Sequence, residues 1–590
     1  MLIAARSAQC ATAGHAIHNW EFLTCDARTA RRGKDVVRVE ITPLRVEGLL
    51  NKSKNEGNYV MQFMRKFRQP LLALALATVL SPGLTTTTVL ADELRIGTQL
   101  KLMTLDPHYA DLNENNALLA HIYERLVRQD EHLSPQPALA VSWKRLAPTQ
   151  WQFKLREGVK FHDGSPFTAQ DVIYSIERVR DFLKPPSGGF QSYTKPIKSV
   201  TAPDPMTIVI ETDGDAPTLP LQMTTLFILP HKTSGFATTE ELNSGAQPNG
   251  TGPYKFAGWQ SGERLTLASN PDYWGGAPAW SDVTFRVIEN PAARVAALTT
   301  GDVDLADYIP ARDVENLKQR NIKIESTSAS RSNFLQFDIA SETHPGITDK
   351  SGKAIANPFR DSRVRQALTM ATDRPFITEK ILSGYGTAAS QIFPPGLSGT
   401  SDKLKVTPPD YDGAKALLAE AGYPEGFNVV LAGPGGRYPG DAESLQSVAQ
   451  NWARIGVTVQ PVVSPFSVFM TKRSSGEYPL WYGGCSGEAV TLCLDGVLAS
   501  RNEALGMGSL NYGRYENKTF DQMLIKAKAM EDGPGRSEAL ASATEFVMAD
   551  YPTIPLYHFH LIVGHSQKVG SYTVHPRGWT MAMQAAPPTE

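Results

Sequence analysis

The chain has 590 residues, of which 41% are apolar and 20% are charged, and its formal net charge at pH 7 is -2. A chain of this length buries more than one hydrophobic core, so we expect two or three domains. The balanced charge excludes a nucleic-acid-binding surface, which would need an excess of lysine and arginine, and the chain has no acidic tail.

A segment near the N-terminus has the pattern of an export signal. Residues 61–91 begin with a basic stretch, continue with the apolar run Leu71–Leu80, and end in small residues before Ala91. This order predicts a secretory signal peptide that is cleaved near Ala91. No later apolar run approaches the roughly 18 residues that a membrane-spanning helix needs. We therefore expect a soluble, exported, periplasmic protein whose mature chain begins near Asp92.

Residues 1–60 precede this signal, although signal peptides normally lie at the N-terminus. They are polar, rich in basic residues and without a sustained hydrophobic period. We interpret them as a non-native or mis-called extension, with Met61 and Met64 as alternative translation starts to the first methionine. On that interpretation the mature chain loses Cys10 and Cys25 and keeps only two cysteines of a later segment.

From Asp92 onward, short runs rich in β-branched residues alternate with amphipathic helical runs, and no repeat or low-complexity tract interrupts them. In chain order, the predicted strands are "ELRIGTQ", "WQFKLREGVKF", "MTIVIET", "LTLAS", "DVTFRVI" and "VTVQPVV", of which the second alternates like an antiparallel pair at an exposed edge. The predicted helices are Asn115–Leu126, Thr168–Arg178, Asp361–Ala371, Asp412–Ala421, Asp441–Ile455, Phe520–Met530 and Arg536–Met548. This mixture indicates an α/β class with some α+β character.

Two long stretches carry a resemblance to a known family. They are Tyr123–Arg178, which contains "FHDGSPFTAQDV", and Gly250–Asp304, which begins with "GTGPY". Shorter matches follow in the same order, namely "RDSRVRQALTMATDR", "YDGAKALLAEAGYPEGF", "WARIGVTVQPV" and "IPLY". Over almost all of 92–590, the chain resembles the family 5 extracellular solute-binding proteins, which are the dipeptide- and oligopeptide-binding receptors of ABC importers. We interpret "FHDGSPFTAQDV" and "GTGPY" as structural motifs and not as ligand contacts, because their glycines and prolines form a turn before a helix and the entry into a strand.

The resemblance implies an α/β, two-lobe periplasmic-binding-protein fold (type II, cluster C-like) with an extra subdomain on lobe I. The implied boundaries are lobe I at 92–132, 232–325 and 546–590, the extra subdomain at 133–231, and lobe II at 326–545. Paired hinge strands would join the lobes, and hinge closure would enclose a ligand between them. The implied partners are that ligand and an ABC permease of the inner membrane, with the receptor itself monomeric.

By the same resemblance, the loop after the first strand lines the ligand cleft. This loop provides Met103 and Thr104 as contact residues. The alternative interpretation is a buried turn in which Leu105 belongs to the hydrophobic core and the loop supports the fold instead of the ligand.

A glycine-rich loop, "GPGGRYPGDAE", precedes the helix predicted from Asp441. It lacks the Gly-Lys-Ser/Thr ending of a P-loop, so nucleotide hydrolysis is not assigned to it. Many relatives have a similar Arg-Tyr pair here, which makes Arg437 and Tyr438 implied ligand contacts, and a guanidinium can bind a carboxylate through two hydrogen bonds. The alternative is an ion pair between Arg437 and Asp441. Arg331, in "SASRSNFLQFD", is a further candidate for binding a carboxylate.

The segment "PLWYGGCSGEAVTLCL" combines a serine, glycines, two cysteines and one acid. A nucleophile elbow, Gly-x-Ser-x-Gly, needs a glycine two residues after the serine, but here Ser486 is followed by Gly487 and then Glu488. The strand–elbow–helix context with a histidine and an acid is also missing, so the segment is not a nucleophile elbow. In dipeptide-binding relatives, the equivalent segment has an aromatic residue, a glycine and an aspartate that pairs with the ligand's α-amino group. Here that register holds Gly484 or Cys485, which argues against a simple dipeptide. The resemblance implies ligand contacts from Trp481, Gly483, Gly484, Cys485, Ser486 and Glu488.

Two side-chain pairs leave alternatives open. Cys485 and Cys493, in an exported chain, are candidates for a disulfide, and two free buried thiols are the alternative. His558 and His560, in "HFHLIVGH", face the same side of a strand, as two metal ligands would. With His565 nearby but no acid or cysteine to complete a ligand set, we assign no metal there and interpret these histidines as ordinary strand residues.

We therefore predict a receptor that is not an enzyme, has no catalytic residues and needs no cofactor. Its ligand is predicted to be a small peptide or a peptide-like solute, and "SGEA" resembles the glutathione-binding branch of the family. Two alternatives stay open. One is the same receptor role for an opine, haem, a metal chelate or an oligosaccharide, and the other is a periplasmic hydrolase or peptide chaperone.

Overall fold

A computed structural model describes residues 93–109, 111–182, 190–231, 238–244, 248–487 and 489–589. The predicted signal peptide, the residues upstream of it and Glu488 lie outside the described residues, so what the sequence predicts for them stays a prediction. Among the described residues, no helix is long and apolar enough to cross a bilayer.

Strands and helices alternate along the described chain. The strands are β1 (Glu93–Thr98), β2 (Val127–Gln129), β3 (Pro135–Pro137), β4 (Ala140–Ala147), β5 (Gln150–Leu155), β6 (Ile197–Asp204), β7 (Thr207–Thr212), β8 (Tyr254–Gln260), β9 (Arg264–Ser269), β10 (Asp282–Val287), β11 (Leu305–Ala306), β12 (Lys323–Ser328), β13 (Arg331–Phe337), β14 (Thr343–Thr348), β15 (Ala354–Ala356), β16 (Gly386–Ala388), β17 (Asn428–Pro434), β18 (Thr458–Ser464), β19 (Leu480–Ser486), β20 (Thr553–His565), β21 (Ser571–Tyr572) and β22 (Ala585–Ala586). The α-helices are α1 (Asn113–Leu119), α2 (Ala169–Glu177), α3 (Gln191–Thr194), α4 (Leu219–Gln222), α5 (Thr239–Ser244), α6 (Pro291–Thr300), α7 (Val314–Gln319), α8 (Ser362–Met370), α9 (Arg374–Phe376), α10 (Tyr411–Glu420), α11 (Asp441–Ala453), α12 (Phe466–Ser474), α13 (Val490–Cys493), α14 (Lys518–Lys528) and α15 (Pro534–Met548).

Within the described residues, fourteen strands form one mixed sheet. Its order is β15-β14-β17-β19-β13-β20-β11-β1-β10-β9-β8, with β12 and β16 pairing with β20 and β18 pairing with β17. The long strand β20 pairs with β13 near its start and with β11 and β12 near its end. The strand β20 thus joins two sections of the sheet, one from β15 to β13 and the other from β11 to β8. The chain passes between these sections a second time at β12 and β13, which are separated only by Ala329 and Ser330.

The three largest hydrophobic cores of the described residues are built on this sheet and on a separate four-stranded sheet. The first core contains Leu94, Ile96, Leu119, Tyr254 and Trp280. The second core contains Leu335, Phe359, Trp452, Tyr482 and Tyr557. The third core contains Phe153, Val172 and Ile210, and lies between α2 and an antiparallel sheet of order β4-β5-β7-β6. The separate cores confirm that the chain buries more than one hydrophobic interior.

The strands and helices predicted from local periodicity are confirmed to within a few residues, apart from two. The helix predicted over Asn115–Leu126 ends at Leu119. The chain then turns because its next carbonyl groups are used by a distant segment: the carbonyl of Ile122 accepts a hydrogen bond from the amide of Gly252 over 2.9 Å. Apolar spacing could not reveal that long-range pairing.

The prediction of an exposed-edge strand pair at "WQFKLREGVKF" is wrong. The strand β5 lies inside its sheet, with β4 on one side and β7 on the other. Its residues Trp151, Phe153 and Leu155 are buried and alternate with less buried ones. Alternation reports that one face of a strand is buried, but it carries no information on how many neighbouring strands are present.

Candidate functional site

The antiparallel pairing of β13 with β19 brings together two segments that the sequence analysis considered separately. Arg331 lies opposite Ser486, and Asn333 lies opposite Gly484. The guanidinium of Arg331 donates a hydrogen bond to the hydroxyl of Ser486 over 3.4 Å. Because side chains alternate along a strand, these four positions lie on one face of the sheet.

The other face of the same strand pair is filled from within the protein. Trp481 is buried and donates its indole N–H to the side-chain oxygen of Gln336 over 3.2 Å. Gly483 is covered by the ring of Phe334, since a Cβ on this glycine would lie 2.4 Å from a ring carbon. Cys485 is also buried on this face. The ligand contacts predicted for these three residues stay predictions, and the structure shows their neighbours to be protein groups.

The glycine-rich loop before α11 is organised by the carboxylate of Asp441. This carboxylate accepts hydrogen bonds from the backbone amides of Gly436, Arg437 and Tyr438 at 2.8 to 3.0 Å. Among the ion pairs of the described residues, none joins Arg437 to Asp441, so the carboxylate fixes the loop through its backbone. The guanidinium of Arg437 instead lies 5.0 Å from the centre of the Phe466 ring, in the range of a cation–π contact.

Tyr438 connects this loop to the strand pair. A Cβ placed on Gly484 would lie 2.8 Å from the hydroxyl oxygen of Tyr438, so the phenol tip lies directly over this glycine. The ring of Tyr438 also packs 5.7 Å from that of Tyr482. A larger residue at position 484 would push the phenol away, which explains why a glycine suits this place in the strand.

We call these neighbouring residues the candidate site. Its members are Arg331, Asn333, Arg437, Tyr438, Gly484 and Ser486. Asn333 was missed by the sequence analysis, because β13 also contains Arg331, Ser332 and Gln336 and a further polar residue there is no distinctive signal. Ser486 has a guanidinium as its hydrogen-bond neighbour, and a guanidinium cannot accept a proton, so this pair is not a nucleophile and its base.

A disulfide lies next to the candidate site. Cys485 and Cys493 are bonded, with their Cα atoms 5.8 Å apart. The bond ties the end of β19 to α13, and both cysteines belong to a buried apolar cluster with Phe334 and Val490. Of the two alternatives that the sequence left open, the structure contains the disulfide. It fixes the ends of the short segment that leads away from Ser486.

The two contact residues predicted in the loop after β1 differ in their exposure to solvent. The side chain of Met103 is 62% exposed, whereas Thr104 is buried. The hydroxyl of Thr104 donates to the side-chain oxygen of Asn243 over 3.1 Å and accepts from the amide of Asp106. Leu105 belongs to the first core, as the buried-turn interpretation expected. Of the two predicted contact residues, Met103 is therefore the accessible one.

Tyr308 lies where the first and second cores meet and was also missed by the sequence analysis. Its ring packs against both cores, and its backbone has a φ of 46°, which is unusual for a residue other than glycine. Arg294 holds this conformation by donating to the carbonyl oxygen of Tyr308 over 3.0 Å. Burial raises the pKa of Tyr308, and the positive charge of Arg331 opposes that rise.

The histidines of β20 are used by neighbouring strands. The Nδ1 atom of His558 lies 2.9 Å from the hydroxyl of Ser332, and Nε2 of His560 lies 3.0 Å from the hydroxyl of Thr387. Burial lowers the pKa of His558 to about 3, so its ring is neutral at pH 7. Among the described residues, no group of three or more histidine, cysteine, aspartate or glutamate side chains is arranged to hold a metal ion.

The chain is similar in sequence to known solute-binding proteins. The model of the family described as "Bacterial extracellular solute-binding proteins, family 5 Middle" matches residues 134–490. Heme-binding protein A of Haemophilus influenzae is 27% identical over 493 residues, which cover 79% of this chain and 86% of that protein. Glutathione-binding protein GsiB of Escherichia coli K12 is 27% identical over 529 residues, which cover 86% of this chain and 96% of that protein.

A solved structure extends the likeness to three dimensions. The ABC transporter-associated periplasmic binding protein DppA from Helicobacter pylori, in complex with the peptide STSA, matches with a TM-score of 0.64 and 25% identity, over 85% of this chain and 99% of that chain. This likeness confirms the expected α/β, two-lobe periplasmic-binding-protein fold. Because the family model covers more than half of the chain, the protein belongs to the bacterial extracellular solute-binding proteins of family 5.

Proposed function

We propose that this receptor captures a small peptide or peptide-like solute between its two lobes and delivers it to an ABC permease of the inner membrane. One observation carries the proposal. Arg331 and Arg437 belong to the candidate site, and neither forms an ion pair with a carboxylate of the described residues. Two guanidinium groups without protein carboxylates can bind the anionic end of a ligand.

The proposed boundaries of the lobes correspond to the separate hydrophobic cores. We propose lobe I at 92–132, 232–325 and 546–590, with the extra subdomain at 133–231 and lobe II at 326–545. The first core draws its residues mainly from the lobe I segments, the second mainly from lobe II, and the third mainly from the subdomain. The two passages through β20 and through β12–β13 are the proposed hinge, because strands that cross between lobes absorb the rotation on closure.

The relatives support a peptide-like ligand without fixing it. Their names refer to haem, glutathione and the peptide STSA. Glutathione and peptides share a free carboxylate and amide bonds, which suit guanidinium and amide partners. Haem also carries carboxylates, so its binding by guanidinium groups is an alternative. Haem, an opine, a metal chelate and an oligosaccharide together form the second ligand class. An acid for the α-amino group of a dipeptide is still missing from the register of Gly484 and Cys485, and the role of Glu488 stays a prediction.

We further propose that the protein is a periplasmic, monomeric receptor and not an enzyme. The family consists of solute-binding proteins, and the neighbour of the Ser486 hydroxyl is a cation that cannot act as a base. The rival proposals are a periplasmic hydrolase and a peptide chaperone. Incubation with a peptide library, followed by mass spectrometry, would support the hydrolase if new fragments appeared.

The ligand class can be tested by thermal unfolding of the purified protein with reduced glutathione, tri-alanine, octopine and haemin. A ligand present at 100 times its Kd stabilises the folded state by about 2.7 kcal/mol. We expect glutathione or tri-alanine to raise the melting temperature by several degrees. A shift with haemin or octopine alone would reject the peptide-like class and keep the receptor role.

A further inference from the structure

Asn333 has an arrangement that the fold itself does not explain. Its side chain is completely buried, yet neither the amide nitrogen nor the amide oxygen has a hydrogen-bond partner among the described residues. Leaving a buried polar atom unpaired costs about 1–3 kcal/mol, and most buried polar side chains avoid this cost. The neighbours on the same face further along β13, Leu335 and Phe337, are apolar and belong to the second core. A leucine would therefore suit position 333 better if packing were its only role.

The covering group over Asn333 is the phenol of Tyr438. A point one Cβ bond from Gly484 lies 2.8 Å from the Tyr438 hydroxyl oxygen and 3.4 Å from the amide nitrogen of Asn333. The missing side chain of Gly484 thus leaves a space that the phenol tip and the amide share. No hydrogen bond of the described residues involves the Tyr438 hydroxyl, so the phenol can leave this space by losing only ring contacts.

We propose that Asn333 recognises an amide group of the ligand, and that Tyr438 covers Asn333 until the ligand displaces the phenol. An asparagine side chain offers one carbonyl acceptor and one NH₂ donor, which is the complement of the C=O and N–H of a peptide bond. An amide ligand group would satisfy both unpaired atoms at once. An ester, a carboxylate or a hydrocarbon would leave at least one of them unpaired.

The position of Arg331 adds a length to this ligand. Arg331 is two residues before Asn333 on the same face, and a strand rises about 3.4 Å per residue, so the two side chains start about 7 Å apart. An extended peptide covers that distance with about two residues. A terminal carboxylate at Arg331 and a peptide bond at Asn333 therefore fit a short anionic peptide of about three residues. This inference rests on the proposed function, because it assigns parts of the same ligand.

The first test measures stability without any ligand. Asn333→Leu removes both unpaired atoms and nearly preserves the side-chain shape, so we expect a higher melting temperature. The matched control is Asn357→Leu, because Asn357 is buried but hydrogen-bonded to the carbonyls of Asp338 and Ser341 and to the amide of Phe359. That control should lower the melting temperature. A lower melting temperature for Asn333→Leu would show an internal partner, such as a bound water, and would overturn the proposal.

The second test addresses the cover. In protein labelled with ¹⁵N-asparagine, the side-chain NH₂ signal that disappears in Asn333→Leu belongs to Asn333. We expect its hydrogen exchange with solvent to become faster in Tyr438→Ala and to stay slow in Tyr438→Phe, which keeps the ring. Equal exchange rates in wild type and Tyr438→Ala would show that Tyr438 is not the cover.

The third test is isothermal titration with glutathione and tri-alanine. Asn333→Leu is expected to weaken the binding of the peptide that wild type binds by about tenfold or more. Equal affinities of wild type and Asn333→Leu would overturn the role of Asn333 and leave the proposed function intact. If wild type binds neither peptide, the peptide-like class and the amide recognition fail together, so the two failures are distinguishable.

Discussion

Asp106 and Arg178 form a buried, two-fold hydrogen-bonded ion pair, with N–O distances of 2.8 and 3.0 Å. Asp106 comes directly after Leu105, which belongs to the first core. Arg178 comes directly after α2, which belongs to the third core, so the ion pair connects the two cores. Burial alone would raise the pKa of Asp106, but the hydrogen bonds and charge of Arg178 outweigh burial and lower it. His108 and Thr239 also form hydrogen bonds with the two charged side chains.

Breaking this pair from one side should destabilise the protein strongly. Arg178→Met leaves the Asp106 carboxylate buried without its cation, which costs about 3–5 kcal/mol of unfolding free energy. Urea unfolding followed by circular dichroism measures this loss. The control is Arg363→Met, which breaks an ion pair with Asp361 whose arginine side chain is 50% exposed, so the loss of unfolding free energy should be much smaller. Equal losses for both variants would contradict the prediction.

The stability of the folded protein should decrease between pH 6.5 and pH 4 because of buried histidines such as His121. Burial lowers the pKa of His121 to about 4, against about 6.5 in the unfolded chain. Its Nδ1 lies 3.0 Å from the carbonyl of Leu118 and its Nε2 accepts from the amide of Ala582, so protonation of Nε2 would break a hydrogen bond. In this pH range only the unfolded chain binds the proton, so the free energy of unfolding falls as the pH falls.

His121→Gln should therefore reduce the dependence of stability on pH over that range. The contribution of His121 is at most about 3 kcal/mol, from the difference between the two pKa values. Urea midpoints at pH 4.5 and 7 measure it. The exposed His132, substituted as His132→Gln, controls for the substitution itself and should leave the urea midpoint at pH 7 unchanged. A wild-type slope in His121→Gln would show that this histidine titrates alike in both states.

The disulfide should stabilise the folded state through the short segment it closes. Cys485 and Cys493 are eight positions apart, and a loop of this size corresponds to about 2–3 kcal/mol in the chain-entropy description. The double variant Cys485→Ser/Cys493→Ser should lower the free energy of unfolding by that amount in urea. Reductant should destabilise wild type to the same level and leave the double variant unaffected. Intact mass after thiol alkylation, with and without reductant, gives the bond directly.

Removing the guanidinium of Arg437 should weaken the binding of an anionic ligand. If Arg437 pairs with a buried carboxylate of the ligand, Arg437→Ala costs about 2–4 kcal/mol of binding free energy. Isothermal titration with glutathione measures the change in Kd. Arg454→Ala is the control, because this arginine also lies over an aromatic ring, that of Tyr411, at 3.5 Å but outside the candidate site. An unchanged Kd for Arg437→Ala would remove Arg437 from the ligand contacts.

The first glycine of "GTGPY" should tolerate no side chain. A Cβ on Gly250 would lie 1.9 Å from the carbonyl oxygen of Ile122, which is backbone and cannot move aside. Gly250→Ala is expected to lower the melting temperature by 10 °C or more or to prevent folding, on the order of 4 kcal/mol or above. Gly214→Ala is the control, since nothing lies within 4 Å of its Cβ position and its φ is not positive. A normal melting temperature for Gly250→Ala would contradict the scaffold role.

The elements that the sequence predicted correctly are those whose signal is local. The helix predicted from Asp441 and the strand "VTVQPVV" follow from spacing within a dozen residues, and the structure has them as α11 and β18. The end of α1 was missed because it depends on hydrogen bonds from Gly252, more than a hundred positions along the chain. Local periodicity contains no term for such contacts.

The candidate site shows the same division. Arg331, Arg437, Tyr438, Gly484 and Ser486 were selected from separate motifs. The structure places Arg331, Gly484 and Ser486 on one face of the strand pair, with Tyr438 over Gly484 and Arg437 next to Tyr438 in its loop. Trp481, Gly483 and Cys485 came from the same segment but lie on the opposite, filled face. Period-two alternation separates the two sets in sequence, but only the tertiary packing shows that Phe334 covers Gly483 on one face and Tyr438 covers Gly484 on the other.

By itself, the sequence determined the class of the fold, the family resemblance and the receptor role, because these depend on patterns written along the chain in order. The tertiary structure alone decided that Arg331 meets Ser486 across 155 positions, that Asp441 binds backbone amides instead of the guanidinium of Arg437, and that Asn333 is buried without a partner among the described residues. The physical reason is that strand pairing and side-chain packing join residues far apart in the chain, and their register is fixed by the cores as a whole.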